Sequence, residues 1–332
     1  MRAVLLSEVG RVELADLPVP EPGPGEVRVE VRASGICGTD LSIVHGSFPA
    51  RLPLVIGHEF AGVVDAVGSD VDQWRPGDRV AADPNRYDGS CHWCQRGAYN
   101  LCESWQAAGI TLPGALAQYL CVPARFVVGL PDEVSFTAGA LIEPLSCAIH
   151  AFDRAQVSGP GEMLLYGAGT MGAACLVLAR DLGLEVTVVE TTPERRSRAL
   201  TLGAARAVEP GADLDQYDYV LDATGALAAI NDGLRRLRTR GTFLQVGAAP
   251  SGALAQLEPY DVFARELTVV GSFSVAGAYP AAAARMPQLA ATVEQLVTHR
   301  LRLDQFDAAV AAMAEPGTGK IHFDPTKERT PS

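Results

Sequence analysis

The chain reads as an α/β protein of two domains, one mostly β and one a doubly wound parallel sheet. Three observations predict this. The first 130 or so residues are short apolar runs cut by Gly- and Pro-rich turns. At Met163 an apolar strand runs into Gly167-Ala168-Gly169-Thr170-Met171-Gly172 and then an apolar helix. Strand and helix patterns alternate from there on, which is the mark of a parallel sheet. At 332 residues the chain has room for about two cores. We expect residues 1–147 with 276–332 in one domain and 148–275 in the other.

The elements follow in order. Ala3 to Leu6, Val27 to Val31 and Phe60 to Val67 are strand-like runs. Pro20-Glu21-Pro22-Gly23-Pro24-Gly25 forces a bend, and Arg75-Pro76-Gly77-Asp78 is a second turn entry. A helix begins after Ser135, a suitable N-cap, and includes Glu143-Pro144-Leu145 and His150. The strand before Gly167 and the helix from Met171 to Leu182 give the glycine motif its context. A second strand, Glu185 to Val189, ends in Glu190, 18 residues beyond Gly172. That is a Rossmann unit: glycines for a tight turn, a helix N-terminus for a pyrophosphate, an acid for ribose hydroxyls. Later strands reach Thr224, and Val246 and Gly247, which are also expected at the cofactor. Leu289, Val293, Leu296 and Val297 have helical spacing with one buried face. There is no internal repeat. The only low-complexity stretch is Ala281 to Ala284, and the tail from Thr326 is polar and expected to be disordered.

Charged residues make up 20% and hydrophobic ones 48%, as in a folded globular protein. The formal charge of -12 argues against nucleic acid or an anionic membrane as partner, since either wants a basic face. No apolar run reaches 18 residues, and the start, Met1 to Leu6, is too short for a secretory signal. Seven cysteines, four of them in motif positions, favour a reducing cytoplasm and metal binding over disulfides.

Two groups of residues are candidate metal ligands. The first is Cys37, His58 and a carboxylate, either Glu59 or Glu143, with Asp40 placed to fix the imidazole from behind. Ligands scattered over a hundred residues suggest a site that a folded domain assembles with one position open. Glu143 lies in an apolar stretch, where a carboxylate without a partner is costly to bury. The second group is Asp88, Cys91, Cys94 and Cys102, two three-residue steps and then an eight-residue gap. His92 lies beside it. Cys121, Cys147 and Cys175 have apolar neighbours and read as core.

G-I-C-G-T-D at 35–40, G-H-E-F-A-G at 57–62 and I-E-P-L at 142–145 resemble the zinc-containing medium-chain alcohol dehydrogenases, closest to their sorbitol and polyol branch. The likeness spans nearly the whole chain. It implies a GroES-like mostly-β catalytic domain beside the Rossmann domain, with a cleft between them. It also implies hydride transfer between a secondary alcohol (polyol, sugar alcohol or cyclic polyol) and NAD, with zinc as Lewis acid. Other substrates the resemblance leaves open are threonine-type and plain secondary alcohols. Relatives carry four cysteines in the second group and bind a structural zinc there, so Asp88 departs from the pattern. Thr39 matches the position whose hydroxyl takes the substrate proton, and Ser42 replaces a relay histidine. Ile43 and Ile110, with Trp105, are expected to line the substrate pocket, and Ser274-Val275 stand where sorbitol dehydrogenases have Arg-Tyr. Glu190 favours NAD over NADP by repelling a 2′-phosphate, although Arg195 or Arg196 could meet one. Relatives are homodimers or homotetramers. Two readings compete with this one: a zinc-free reductase of the same superfamily, and a non-catalytic NAD-binding protein.

Overall fold

In the computed structural model, which describes residues 1–327, the chain divides into two compact units. One is Met1–Ser146 with Val275–Ser332, and the other is Cys147–Ser274.

The first unit opens with an antiparallel hairpin of β1 (Arg2–Glu8) and β2 (Arg11–Asp16). After the Pro/Gly bend comes β3 (Glu26–Ile36), whose Val27, Val29 and Val31 are at most 1% exposed while Arg28, Glu30 and Arg32 stay half-buried. Each buried valine stabilises by about 1.5 kcal/mol or more. A slip of one residue would swap the valines for charges, so this alternation fixes the register. Helix α1 (Gly38–Val44) follows at once. Next, β4 (Leu54–Val55) joins β1, and β5 (Glu59–Val67) pairs antiparallel with β3, setting Glu59 opposite Gly35. Strand β6 (Arg79–Ala82) extends that sheet. A two-stranded sheet of β7 (Asn85–Arg86) and β8 (Gln106–Ala107) brackets the cysteine segment. Then β9 (Tyr119–Pro123) pairs with β3, and β10 (Val127–Gly129) with β6.

The helix expected after Ser135 is two helices, α2 (Phe136–Ala140) and α3 (Ile142–Ala155), with Ser135 Oγ accepting the Ala138 N–H at 3.0 Å. Pro144 explains the break. It has no N–H to bond the carbonyl four residues back, so it is tolerated only in the first turn of a new helix.

The second unit holds β11 (Glu162–Tyr166), α4 (Thr170–Asp181), β12 (Glu185–Val189), α5 (Pro193–Thr201) and β13 (Arg206–Val208). It continues with β14 (Tyr217–Asp222), α6 (Leu227–Arg235), β15 (Leu237–Gln245), α7 (Pro259–Ala264) and β16 (Thr268–Gly271). The strands form one parallel sheet in the order β13-β12-β11-β14-β15-β16. The order reverses between β11 and β14, and ligands of doubly wound sheets bind beyond the strand ends at such a reversal. Met163, Leu164 and Leu165 are fully buried, as a central parallel strand requires.

The chain then returns to the first unit through α8 (Tyr279–Val293), β17 (Val297–Leu301), α9 (Phe306–Met313) and β18 (Lys320–Phe323). Strand β18 pairs antiparallel with β3, Ile321 facing Ile36, which completes the sheet order β10-β6-β5-β3-β18-β17. The spacing that suggested a helix through Val297 overran it. The helix stops at Val293, Leu296 is buried from a 3₁₀ turn, and β-branched Val297 opens a strand. Ala281 to Ala284 lie within α8. Thr326 donates N–H and Oγ1 to Asp324, so the start of the expected tail is ordered, and residues 328–332 lie outside the described residues. Among the described residues no helix is long and apolar enough to cross a membrane.

Candidate metal and cofactor sites

Three turns bring the first group together. Cys37 directly follows β3 and is the N-cap of α1, and Asp40 in the first turn of α1 accepts the Cys37 N–H on Oδ2 at 2.8 Å. Asp40 Oδ1 accepts the Gly57 N–H at 3.0 Å and lies 3.4 Å from His58 Nδ1. The fully buried Asp40 carboxylate thus joins the two segments that bear the thiol and the imidazole. Gly57 has φ 96°, where a side chain is strained, and a Cβ there would lie 2.7 Å from Leu116. Glu59 opens β5 over Gly35, where an added Cβ would sit 2.2 Å from Glu59 Oε2.

The donor atoms of Cys37, His58 and Glu59 all lie within 4.8 Å of one another. Glu59 Oε2 is buried with no hydrogen-bond partner. A thiol, an imidazole and a carboxylate converging in this way, with one buried carboxylate oxygen left without a partner, fit zinc. Burial opposes a charged His58, but the Asp40 charge and then Cys37 override it, holding the imidazole well above its ordinary pKa.

Glu143, in the first turn of α3 and 8% exposed, is outside that group, so the two carboxylates do not converge equally. Thr39 Oγ1 is 3.9 Å from Cys37 Sγ. Ile43, expected to line the substrate pocket, is set by α1. The helical turn that buries Asp40 also turns Ile43 inward, 1% exposed, into an apolar cluster with Val4, Leu6 and Phe323. Ile110 belongs to the same cluster, Trp105 packs against it, and the Trp105 indole donates to Asn85 at 2.9 Å.

Sequence reasoning missed Lys320. Its Nζ donates to Glu59 Oε1 at 2.6 Å and to the Ile36 carbonyl at 3.0 Å, and both side chains are 2% exposed or less. Burial disfavours the ammonium, yet the charges of Glu59 and Cys37 keep its pKa above the ordinary lysine value. The available signal was a lysine opening a short strand with Ile321 and Phe323, Lys320-Ile321-His322-Phe323.

In the second group the donors of Asp88, Cys91, Cys94 and Cys102 also lie within 4.8 Å of one another. Asp88 divides its carboxylate. Oδ1 accepts the N–H groups of Ser90 at 2.6 Å and Cys91 at 2.8 Å, while Oδ2 accepts the Cys102 thiol at 3.0 Å. The Cys102 contact and these N–H groups hold the acid well below the usual carboxylate range. One oxygen builds the turn and the other faces the thiols, a geometry that fits a one-oxygen zinc ligand. His92 is drawn away instead: it is exposed, and its Nδ1 lies 2.9 Å from Arg96. Of the cysteines read as core, Cys175 is fully buried, its thiol pushed up to about 12, whereas Cys121 and Cys147 are half-buried.

In the second unit Gly167, Thr170, Met171 and Gly172 form the turn from β11 into α4, and Gly169 is the N-cap. A Cβ on Gly172 would strike the Gly167 carbonyl at 1.9 Å, whereas one on Gly169 would meet nothing within 4 Å. That open side over a helix N-terminus suits an anion. Glu190 is more occupied than expected. Its Oε2 accepts the Ala168 N–H at 2.7 Å, and Oε1 accepts the Thr192 N–H at 2.9 Å. Burial pushes this acid up, but those N–H groups outweigh it and keep it ionised. Arg196 donates to the Glu190 and Thr191 carbonyls and pairs with Glu209, so its cation is spent within the protein. Arg195 Nε has no partner. Thr224 is tied to Asp222 by N–H and Oγ1, and the N–H groups of Val246 and Gly247 bond the Asp222 carbonyl.

Comparison with known proteins agrees with this architecture. Residues 23–132 match the model of the alcohol dehydrogenase GroES-like domain, and residues 170–291 that of the zinc-binding dehydrogenase domain. D-altritol 5-dehydrogenase of Agrobacterium fabrum is 33% identical over 97% of this chain and 99% of its own. Human sorbitol dehydrogenase is 33% identical over 89% of this chain and 88% of its own. Among solved structures, galactitol-1-phosphate dehydrogenase from Escherichia coli superposes with TM-score 0.89 at 28% identity, covering 98% of this chain and 100% of its own. A chain from Sinorhizobium meliloti 1021 solved bound to NADP reaches TM-score 0.92 at 32% identity, covering 98% of this chain and 99% of its own. Matched end to end by such relatives, the chain belongs to the zinc-containing medium-chain alcohol dehydrogenase family and is an oxidoreductase of that kind.

Proposed function

We propose that this chain is a zinc- and NAD-dependent dehydrogenase of secondary alcohols whose substrates are polyols or sugar alcohols. The observation that carries the proposal is the buried convergence of Cys37, His58 and Glu59, one of whose oxygens has no partner, in a chain that also has a complete nucleotide-binding turn. The polyol class rests on relatives named for altritol and sorbitol.

In this reading Cys37, His58 and Glu59 hold the zinc, and Glu143 stands outside that shell. Bound there, zinc supplies Lewis acidity toward an alcohol oxygen. The chain's own groups do the rest. Asp40 fixes the imidazole and the start of α1, and Thr39 Oγ1 takes the substrate's hydroxyl proton while passing its own on to water or the cofactor ribose. The turn from Gly167 to Gly172 takes the pyrophosphate. Glu190, held ionised by backbone N–H groups, disfavours a 2′-phosphate, and Arg195 packs nearby. Asp88, Cys91, Cys94 and Cys102 hold a second, structural zinc that stabilises a lobe too small for its own core.

The protein is proposed to act in the cytoplasm, where seven unpaired cysteines are stable. It is further proposed to assemble as a homodimer or homotetramer through the β16 edge. To test the substrate class, initial rates are measured with NAD and NADP over a panel of sorbitol, other polyols, threonine and simple secondary alcohols. Polyols with NAD should give the highest kcat/KM. Turnover of the plain alcohols alone would reject the polyol reading, and equal rates with NADP would reject the role given to Glu190.

A further inference from the structure

The carboxylate of the candidate zinc group is held from behind, and we infer that Lys320 is a positioning residue that leaves Glu59 only one oxygen to give to metal. The inference rests on the reading that Cys37, His58 and Glu59 bind zinc.

The geometry is specific. Strand β18 joins the sheet beside β3 with Ile321 facing Ile36, which brings Lys320 to the residue just before Cys37. From there Nζ makes two contacts, one with the Ile36 carbonyl at 3.0 Å and one with Glu59 Oε1 at 2.6 Å. The carbonyl contact pins the ammonium to the strand that runs into Cys37, so the cation and the thiol share a backbone anchor. Oε2 lies over Gly35, where the missing Cβ leaves it room, and has no protein partner. The two oxygens of one buried carboxylate are therefore unequal: Oε1 is bound by a cation, and Oε2 has no protein partner, in a carboxylate whose donor set converges with Cys37 and His58. A further consequence concerns charge. The ammonium offsets part of the negative charge that a Cys37 thiolate, Glu59 and the buried Asp40 would together place around a dication. Lys320 thus limits both the number of oxygens and the negative charge that Glu59 presents.

The test uses the cobalt-substituted protein, taking the difference spectrum against Cys37→Ser so that only this site is read. In Lys320→Met the freed Oε1 should join the metal. The visible bands should weaken toward a five-coordinate pattern, and cobalt should leave to a chelator more slowly than from wild type. A lysine that merely supports the fold predicts the opposite, faster loss of metal. Lys320→Arg, which keeps a cation, should return the spectrum toward wild type. If Lys320→Met does not fold, Lys320→Met with Glu59→Gln removes both charges, and that pair should fold and lose cobalt faster than wild type. An unchanged spectrum with unchanged or faster release in Lys320→Met overturns the inference, as does a double variant that holds cobalt as tightly as wild type. A wild type with no Cys37-dependent cobalt band instead overturns the zinc reading itself.

Discussion

At the scale of single residues, the site depends on groups that never touch substrate. Gly35 has no side chain because Glu59 occupies that space: a Cβ would lie 2.2 Å from Oε2. Gly35→Ala should displace the carboxylate and lower stability by about 1–3 kcal/mol, the usual cost of overpacking. Thermal unfolding and metal content measure both effects, and a variant with wild-type Tm and zinc would show that the contact relaxes freely. Asp83 offers a pH signature. Burial raises its pKa from 3.8 to about 6, while Asn85 hydrogen bonds pull the other way. Between these values the folded state holds a proton that the unfolded state has lost, so stability falls as pH rises from about 4 to about 6. The loss amounts to roughly 3 kcal/mol, taking 1.36 kcal/mol per unit. Asp83→Asn should flatten that decline in denaturant titrations across the window, and an unaltered slope would mean that Asp83 ionises normally.

At the scale of elements, what the sequence reveals depends on how local the signal is. The β11 turn into α4 was legible because glycines, an apolar strand and an apolar helix occur within twenty residues or so. The thiol, imidazole and carboxylate of the metal group were legible for the same reason, each sitting in a short motif. Lys320 was not, because its partner Glu59 is 261 residues away and only the pairing of β18 with β3 brings them together. Ile43 was ambiguous because an apolar residue near a candidate ligand reads equally well as pocket lining or core, and the phase of α1 turns it into an apolar cluster. Ile43→Ala should therefore cost about 2–5 kcal/mol in unfolding free energy, as for other buried isoleucines, and leave KM unchanged. A raised KM without loss of stability would restore Ile43 to the pocket.

For the molecule as a whole, the second unit has an unprotected margin. Strand β16 is the edge of its sheet and pairs only with β15 among the described residues. Val269, Phe273, Tyr260 and Phe263 on or near it are 50%, 54%, 70% and 80% exposed. An apolar sheet edge of this kind invites pairing with another chain. Replacing Val269 with Lys and Phe263 with Glu should convert the proposed homodimer or homotetramer to a smaller species in sedimentation, whereas an unchanged size would place any interface elsewhere.

The account stands on two metal groups in one chain, so zinc per chain in wild type, Cys37→Ser and Asp88→Ala tests it most directly. We expect two zincs in wild type and one in each variant, with turnover abolished in Cys37→Ser and retained in Asp88→Ala. Active wild-type enzyme purified without chelator yet free of zinc would contradict the account. So would a Cys37→Ser variant that keeps both zincs and its activity.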